Sequence, residues 1–238
     1  MTSTPTPTVG FIYPDHAAED DYPFAAEMLG VDLPVVHIYG TDLHAVPELL
    51  DLGSPEKLAG GAALLAEEKP DAVVWACTSG SFVYGQDGAA AQAAAISERL
   101  GVPASSTSIA FVEASRALEL RKVAVAASYP EDLAGHFSSF LAAGGIDVVS
   151  FGASGIFTAV DAGRLGPDAV LEMTLAVDVP EAEAILVPDT ALHTLTCIDT
   201  LEKAVGKPVL TANQVTVWEG LRLAGMPRPL PGLGALFR

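Results

Sequence analysis

Val9-Gly-Phe-Ile-Tyr-Pro14 and Val123-Ala-Val-Ala-Ala-Ser-Tyr-Pro130 read alike: each is a continuous apolar run that closes on Tyr-Pro. Such runs suit strands covered on both faces. A second apolar run follows each, and it ends in a reactive side chain 63 residues after Pro14 and 59 residues after Pro130. The first is Asp71-Ala-Val-Val-Trp-Ala-Cys77, continued by Thr78-Ser79-Gly80-Ser81; the second is Glu183-Ala-Ile-Leu-Val-Pro-Asp189, continued by Thr190. Both copies close on a proline-led strand, Gly101-Val-Pro-Ala-Ser-Ser-Thr107 and Gly206-Lys-Pro-Val-Leu-Thr211. The chain thus reads as one unit written twice, with Cys77 and Asp189 at equivalent strand tips. Two such units face to face would hold a substrate between a thiol and a carboxylate.

Outward from these runs, short strand-like segments alternate with longer helical ones. The strand candidates are 9–13, 33–39, 72–76, 102–104, 122–127, 146–150, 183–187 and 208–211; the helical stretches include 55–68, 86–100, 109–119, 131–143, 167–178, 191–205 and 214–224. This alternation implies right-handed βαβ units, hence an α/β fold of two parallel four-stranded sheets with helices on both faces. The boundary falls near Phe111 to Arg121. The last helix mirrors 109–119 and is expected to return to the first half. The expected domains are therefore 1–112 plus 214–238, and 113–213, with a site in the cleft between them.

Half of the 238 residues are hydrophobic and 18% are charged, enough for a sizeable core. The net charge of −18, with 12 basic residues and no basic run, argues against nucleic-acid and anionic-membrane partners. No apolar run reaches the roughly 20 residues of a membrane span. Met1–Thr8 has neither the charged nor the apolar region of a signal peptide and reads as a short disordered leader. Two cysteines in unlike surroundings, Cys77 and Cys197, make no disulfide framework, so a cytoplasmic location is expected.

Ligands of open α/β sheets bind beyond the carboxyl ends of the strands, where Cys77 stands. Thr78, Ser79 and Gly80 can turn the chain into a helix and aim backbone N–H groups at an anion, which would lower the thiol pKa. The plain alternative for Cys77 is a small buried hydrophobe. Asp189 has its own plain reading, an N-cap for the helix 191–205. Cys197, eight residues further on, reads as packing. Tyr129, with Tyr13 as its counterpart, stands at a strand tip where a phenol can hydrogen-bond a carboxylate or simply fill an interface. None of His16, His37, His44, His136 and His193 forms a metal-ligand spacing, and Gly152-Ala-Ser-Gly155 lacks the phosphate-loop lysine, so neither a metal nor a nucleotide cofactor is expected.

Over nearly its whole length the chain resembles the aspartate/glutamate racemase superfamily, in the branch of maleate cis-trans isomerases and arylmalonate decarboxylases. The resemblance lies in Val9–Pro14, Ala76-Cys-Thr-Ser-Gly-Ser-Phe82, Ala127-Ser-Tyr129, the 183–190 strand tip and Trp218-Glu-Gly-Leu-Arg-Leu-Ala-Gly225. It implies two flavodoxin-like domains related by a pseudo-twofold axis, with a cofactor-free site between them. Racemases and isomerases of this kind carry two cysteines, one per half, whereas the decarboxylases keep the second and have glycine at the first. This chain is the reverse, with Cys77 first and Asp189 second. In the isomerases the residue matching Cys77 is the nucleophile. Thr78, Ser79 and Tyr129 match positions that hold a carboxylate or enediolate in the decarboxylases, and the Thr190 backbone matches another donor. Pro14 and Asp15 match a position that often carries asparagine in the isomerases.

The expected function is a cofactor-independent isomerase acting at the carbon next to a carboxylate, with Cys77 as thiolate nucleophile or base and Asp189 as the second proton carrier. A decarboxylase working through an enediolate is the first alternative. A non-catalytic small-acid binding protein, lacking the second thiol, is the other. Small carboxylates are the expected partners, and a homo-oligomer is compatible with the chain.

Overall fold

The computed structural model describes residues 7–226 and 229–238, so most of the expected leader lies outside the described residues. The first half runs β1 (Val9–Pro14), α1 (Asp21–Leu29), β2 (Val35–Ile38), α2 (Val46–Leu52), α3 (Pro55–Leu65), β3 (Ala72–Trp75), α4 (Ser79–Phe82), α5 (Gly85–Leu100), β4 (Ala104–Ser106) and α6 (Thr107–Ala117). The second half runs β5 (Lys122–Ala127), α7 (Glu131–Ala143), β6 (Asp147–Ala153), α8 (Ala159–Gly163), α9 (Pro167–Ala176), β7 (Ala184–Val187), α10 (Ile198–Val205), β8 (Val209–Thr211) and α11 (Ala212–Leu223).

The strands form two four-stranded parallel sheets, in the orders β2-β1-β3-β4 and β6-β5-β7-β8. The two orders are the same order once β5 is set on β1, so the internal repeat is a repeat of topology. β1 and β5 are central because both are apolar and buried almost throughout. In each sheet the chain reverses direction of travel between the first and third strands of the repeat. A crevice opens there, beyond the strand tips. Pro14 ends β1 and Cys77 follows β3; Tyr129 and Asp189 follow β5 and β7.

The last helix, α11, packs on α6, β3 and β1 of the first sheet. It comes close because Gly220 has no side chain: a Cβ there would lie 2.4 Å from Val9 Cγ1. Among the described residues no helix is long and apolar enough to cross a membrane.

The helix expected over 191–205 is shorter and begins at Ile198. Tertiary bonds hold the preceding residues out of a helix. Thr194 and Leu195 N–H donate to Asp21 Oδ2 at 3.1 and 3.4 Å, and Asn213 Nδ2 donates to Leu192 O and Thr190 O, both at 3.3 Å. Asp189 therefore caps no helix. Its Oδ1 accepts from Ala191 N–H at 2.9 Å and closes a local turn.

Candidate active site

Pro14, Asp15, Cys77, Ser79, Asp189 and Thr190 line one cavity at the crevice between the sheets, together with His44 and residues of the 41–43 and 159–160 segments. Thr78 and Tyr129 are buried without lining it. Tyr129 sits behind the cavity, edge-on to His44 at 4.9 Å. Cys197 is elsewhere, in the core of the second half, with its thiol donating to Thr194 O at 3.3 Å.

Cys77 follows β3 and is 3% exposed. Gly80 N–H donates to its sulfur at 3.2 Å, and the Ser79 hydroxyl lies 3.8 Å from it. A side chain at position 80 would crowd the sulfur at 3.1 Å, so glycine keeps the turn tight. These donors favour a thiolate, as expected from the loop sequence, but they do not prevail. Burial pushes the thiol up to about 11, and the Asp189 charge adds to it. The lowered pKa expected from the loop is thus corrected. That loop carries only the four-residue α4, too short for a substantial helix dipole. In this state the thiol is protonated at neutral pH.

Asp189 accepts at both carboxylate oxygens, from Ala191 N–H and, in a short bond, from the Ser128 hydroxyl. Ser128 received no role from the sequence, although it lies in the Ala127-Ser-Tyr129 segment just before Pro130. Burial first, and the nearby Asp189 charge next, push the Tyr129 hydroxyl well above its ordinary pKa. Thr78 Oγ1 is buried without a partner among the described residues.

Tyr13 is not free for substrate. Its hydroxyl donates to Thr190 O at 2.7 Å and accepts from Ala18 N–H at 3.0 Å, tying the first half to the second. Asp15 adopts the left-handed region, with φ of 48°, and its carbonyl accepts from His37 Nδ1. Asparagine and aspartate tolerate that region best among residues with side chains. Among the residues lining the cavity there is no lysine or arginine. A bound carboxylate would be met by hydroxyl and N–H donors.

The arylmalonate decarboxylase family model matches residues 53–237.

The chain belongs to the arylmalonate decarboxylase family.

Within that family it is 31% identical to the arylmalonate decarboxylase of Bordetella bronchiseptica, over 100% of this chain and 99% of that one. A maleate isomerase of Nocardia farcinica is 27% identical, over 73% of this chain and 72% of its own. Among solved structures, a liganded arylmalonate decarboxylase mutant superimposes with a TM-score of 0.86 at 28% identity, covering 98% of this chain and 99% of that one. In that mutant a glycine is exchanged for cysteine and a cysteine for serine. The relatives are enzymes that decarboxylate or isomerise, and the two-sheet α/β fold is theirs.

Proposed function

We propose that the chain is a cofactor-independent decarboxylase of small substituted malonates, with Cys77 as the proton donor. The observation that carries this is the buried thiol on the cavity wall, where burial pushes its pKa up to about 11. A thiol with a pKa of about 11 is ionised in roughly one molecule in ten thousand at pH 7. It is poorly placed to attack and well placed to give a proton. In the reaction the bond from the α-carbon to one carboxylate breaks and CO2 leaves. The electron pair remains as the enediolate of the other carboxylate. The Cys77 S–H protonates the α-carbon, and the thiolate recovers a proton from solvent.

The enediolate's charge is met by the donors around the cavity: the Ser79 hydroxyl, the Thr190 backbone N–H and, through a small shift, the Thr78 and Tyr129 hydroxyls behind it. Asp189, already accepting two hydrogen bonds, serves better to orient Ser128 and the turn than to deliver a proton. On this reading Cys77 stands where the decarboxylases have glycine and Asp189 where they have cysteine. A mutant decarboxylase that gains one cysteine and gives up another has made a similar exchange. The proton would then arrive from the opposite face of the substrate. The working units are residues 1–112 with 214–238, and 113–213.

One observation favours a second reading, isomerisation by thiolate addition. The Gly80 N–H and the Ser79 hydroxyl both address the sulfur and would hold a thiolate once a substrate displaced the Asp189 charge. Incubation of a panel of maleate, aryl- and alkylmalonates and chiral amino acids in deuterated water, followed by NMR, separates the readings. CO2 release with one deuteron at the α-carbon supports decarboxylation. Fumarate from maleate supports the isomerase. Exchange without CO2 release points to racemisation, and inert substrates that nonetheless bind would leave a non-catalytic binding protein.

A further inference from the structure

His44 is 6% exposed and sits where the two halves clasp each other. Leu43 bridges antiparallel to Thr158, His44 N–H donates to Phe157 O at 2.8 Å, and Ala159 N–H donates to Asp42 O at 2.8 Å. Its ring Nδ1 lies 2.9 Å from the carbonyl oxygen of Ile156. A carbonyl oxygen only accepts, so Nδ1 carries the hydrogen. In the neutral imidazole this leaves Nε2 with a lone pair. The ring stands edge-on to Tyr129, with an interplanar angle of 88°, and that packing fixes its orientation. Among the described residues no group bonds Nε2, while His44 lines the cavity beside Cys77, Ser79 and Asp189. A side chain more than nine-tenths buried thus borders the cavity with a ring nitrogen that no described group bonds.

Carboxylates stand on the same wall. Asp15, Asp42 and Asp189 line the cavity beside His16 and His44, and no lysine or arginine does. Acceptors gathered this way favour a substituent that donates and disfavour one that carries a further negative charge.

We propose that His44 is a specificity-determining residue, selecting carboxylic acids whose substituent presents an O–H or N–H donor to Nε2. The proposal rests on the small-carboxylate reading of the cavity, and it deepens that reading by naming the substituent. A site that must hydrogen-bond its ligand rejects the analogue lacking the donor, because a buried acceptor is then left unpaired.

The test is calorimetric titration of the full chain with unreactive monocarboxylic acids in matched sets: phenylacetate, 2-hydroxy-2-phenylacetate, 4-hydroxyphenylacetate and 4-carboxyphenylacetate. At least one hydroxylated acid is expected to bind about tenfold or more tighter than phenylacetate, with the dicarboxylate weakest. The preference is expected to collapse toward onefold in His44→Leu and to persist in His44→Gln, whose amide oxygen also accepts. A purely packing role would be hit equally by both variants and would not move the ratio between probes. Binding without a hydroxyl preference, a preference that survives His44→Leu, or tightest binding of the dicarboxylate overturns the role of His44 alone. Binding of no carboxylic acid overturns the small-carboxylate reading together with it. Because no probe turns over, failure of decarboxylation leaves the ratio intact.

Discussion

At Cys77 two opposing influences meet, and their sizes decide the chemistry. Backbone N–H groups and a hydroxyl draw the sulfur toward its anion, while burial and the Asp189 charge resist. Burial wins because the whole side chain is out of water. The consequence is a thiol that alkylates slowly. Modification by iodoacetamide, followed by mass spectrometry, is expected to be slow at pH 7.5 and to rise with a midpoint near 11. Asp189→Asn removes a charge that raises the thiol, so its midpoint is expected to lie lower than that of the unaltered chain. An unchanged midpoint would show that Asp189 is not electrostatically coupled to the sulfur. The position of Cys77 at a strand tip was legible in the sequence, from the repeated run and the small polar residues after it. Its protonation was not, because the covering groups come from segments far away in the chain, among them 41–44 and 159–160. The same distance hid His44, whose partner Ile156 lies 112 residues on.

The elements show the same division between local and remote information. Long apolar strands and helices such as β5, α5 and α7 lie within a residue or two of where the pattern places them. The short helices α1, α2, α4 and α8 carry too few turns to leave a clear period, and went unread. The missing start of the 191–205 helix has a specific cause in Asp21, at the beginning of α1. Its Oδ2 accepts from Thr194 N–H, Leu195 N–H and Asn213 Nδ2, and it is 4% exposed. Burial raises its pKa and these donors lower it, with burial the larger. Removing the carboxylate strands several buried donors. Asp21→Ala is therefore expected to cost about 2–4 kcal/mol in urea denaturation. It is also expected to lower turnover, because the turn it holds carries Thr190 and Asp189. Unchanged stability would mean that water or a rearranged loop replaces the carboxylate.

For the whole molecule, the governing fact is that the site belongs to neither sheet alone. The 41–44 segment of the first half is fastened to 156–159 of the second, and the cavity they cover measures about 40 Å³. That is far below the several hundred Å³ of a typical ligand pocket, so a drug-sized ligand is expected to enter only with the clasp open. Ala159 is the first residue of α8 after the Thr158 cap, a position that accepts proline. Ala159→Pro removes the N–H given to Asp42 without breaking the helix. It is expected to speed hydrogen exchange at the His44 amide while leaving global stability within about 1 kcal/mol. Exchange as slow as in the unaltered chain would show that this bond does not hold the cover. Net charge acts at the same scale. At −18 the protein repels anionic substrates, so kcat/KM for a dianionic malonate is expected to rise with added salt. A fall would show that local donors outweigh the overall field.

The central claim is that a protonated thiol at position 77 supplies the hydrogen that replaces CO2. Its most direct test is the rate of labelled CO2 release and α-deuteration from a substituted malonate in deuterated water, compared between the unaltered chain, Cys77→Ala and Cys197→Ala. Cys77→Ala is expected to lose at least about a thousandfold in deuterated product while Cys197→Ala keeps its rate. Undiminished turnover by Cys77→Ala would contradict the claim outright.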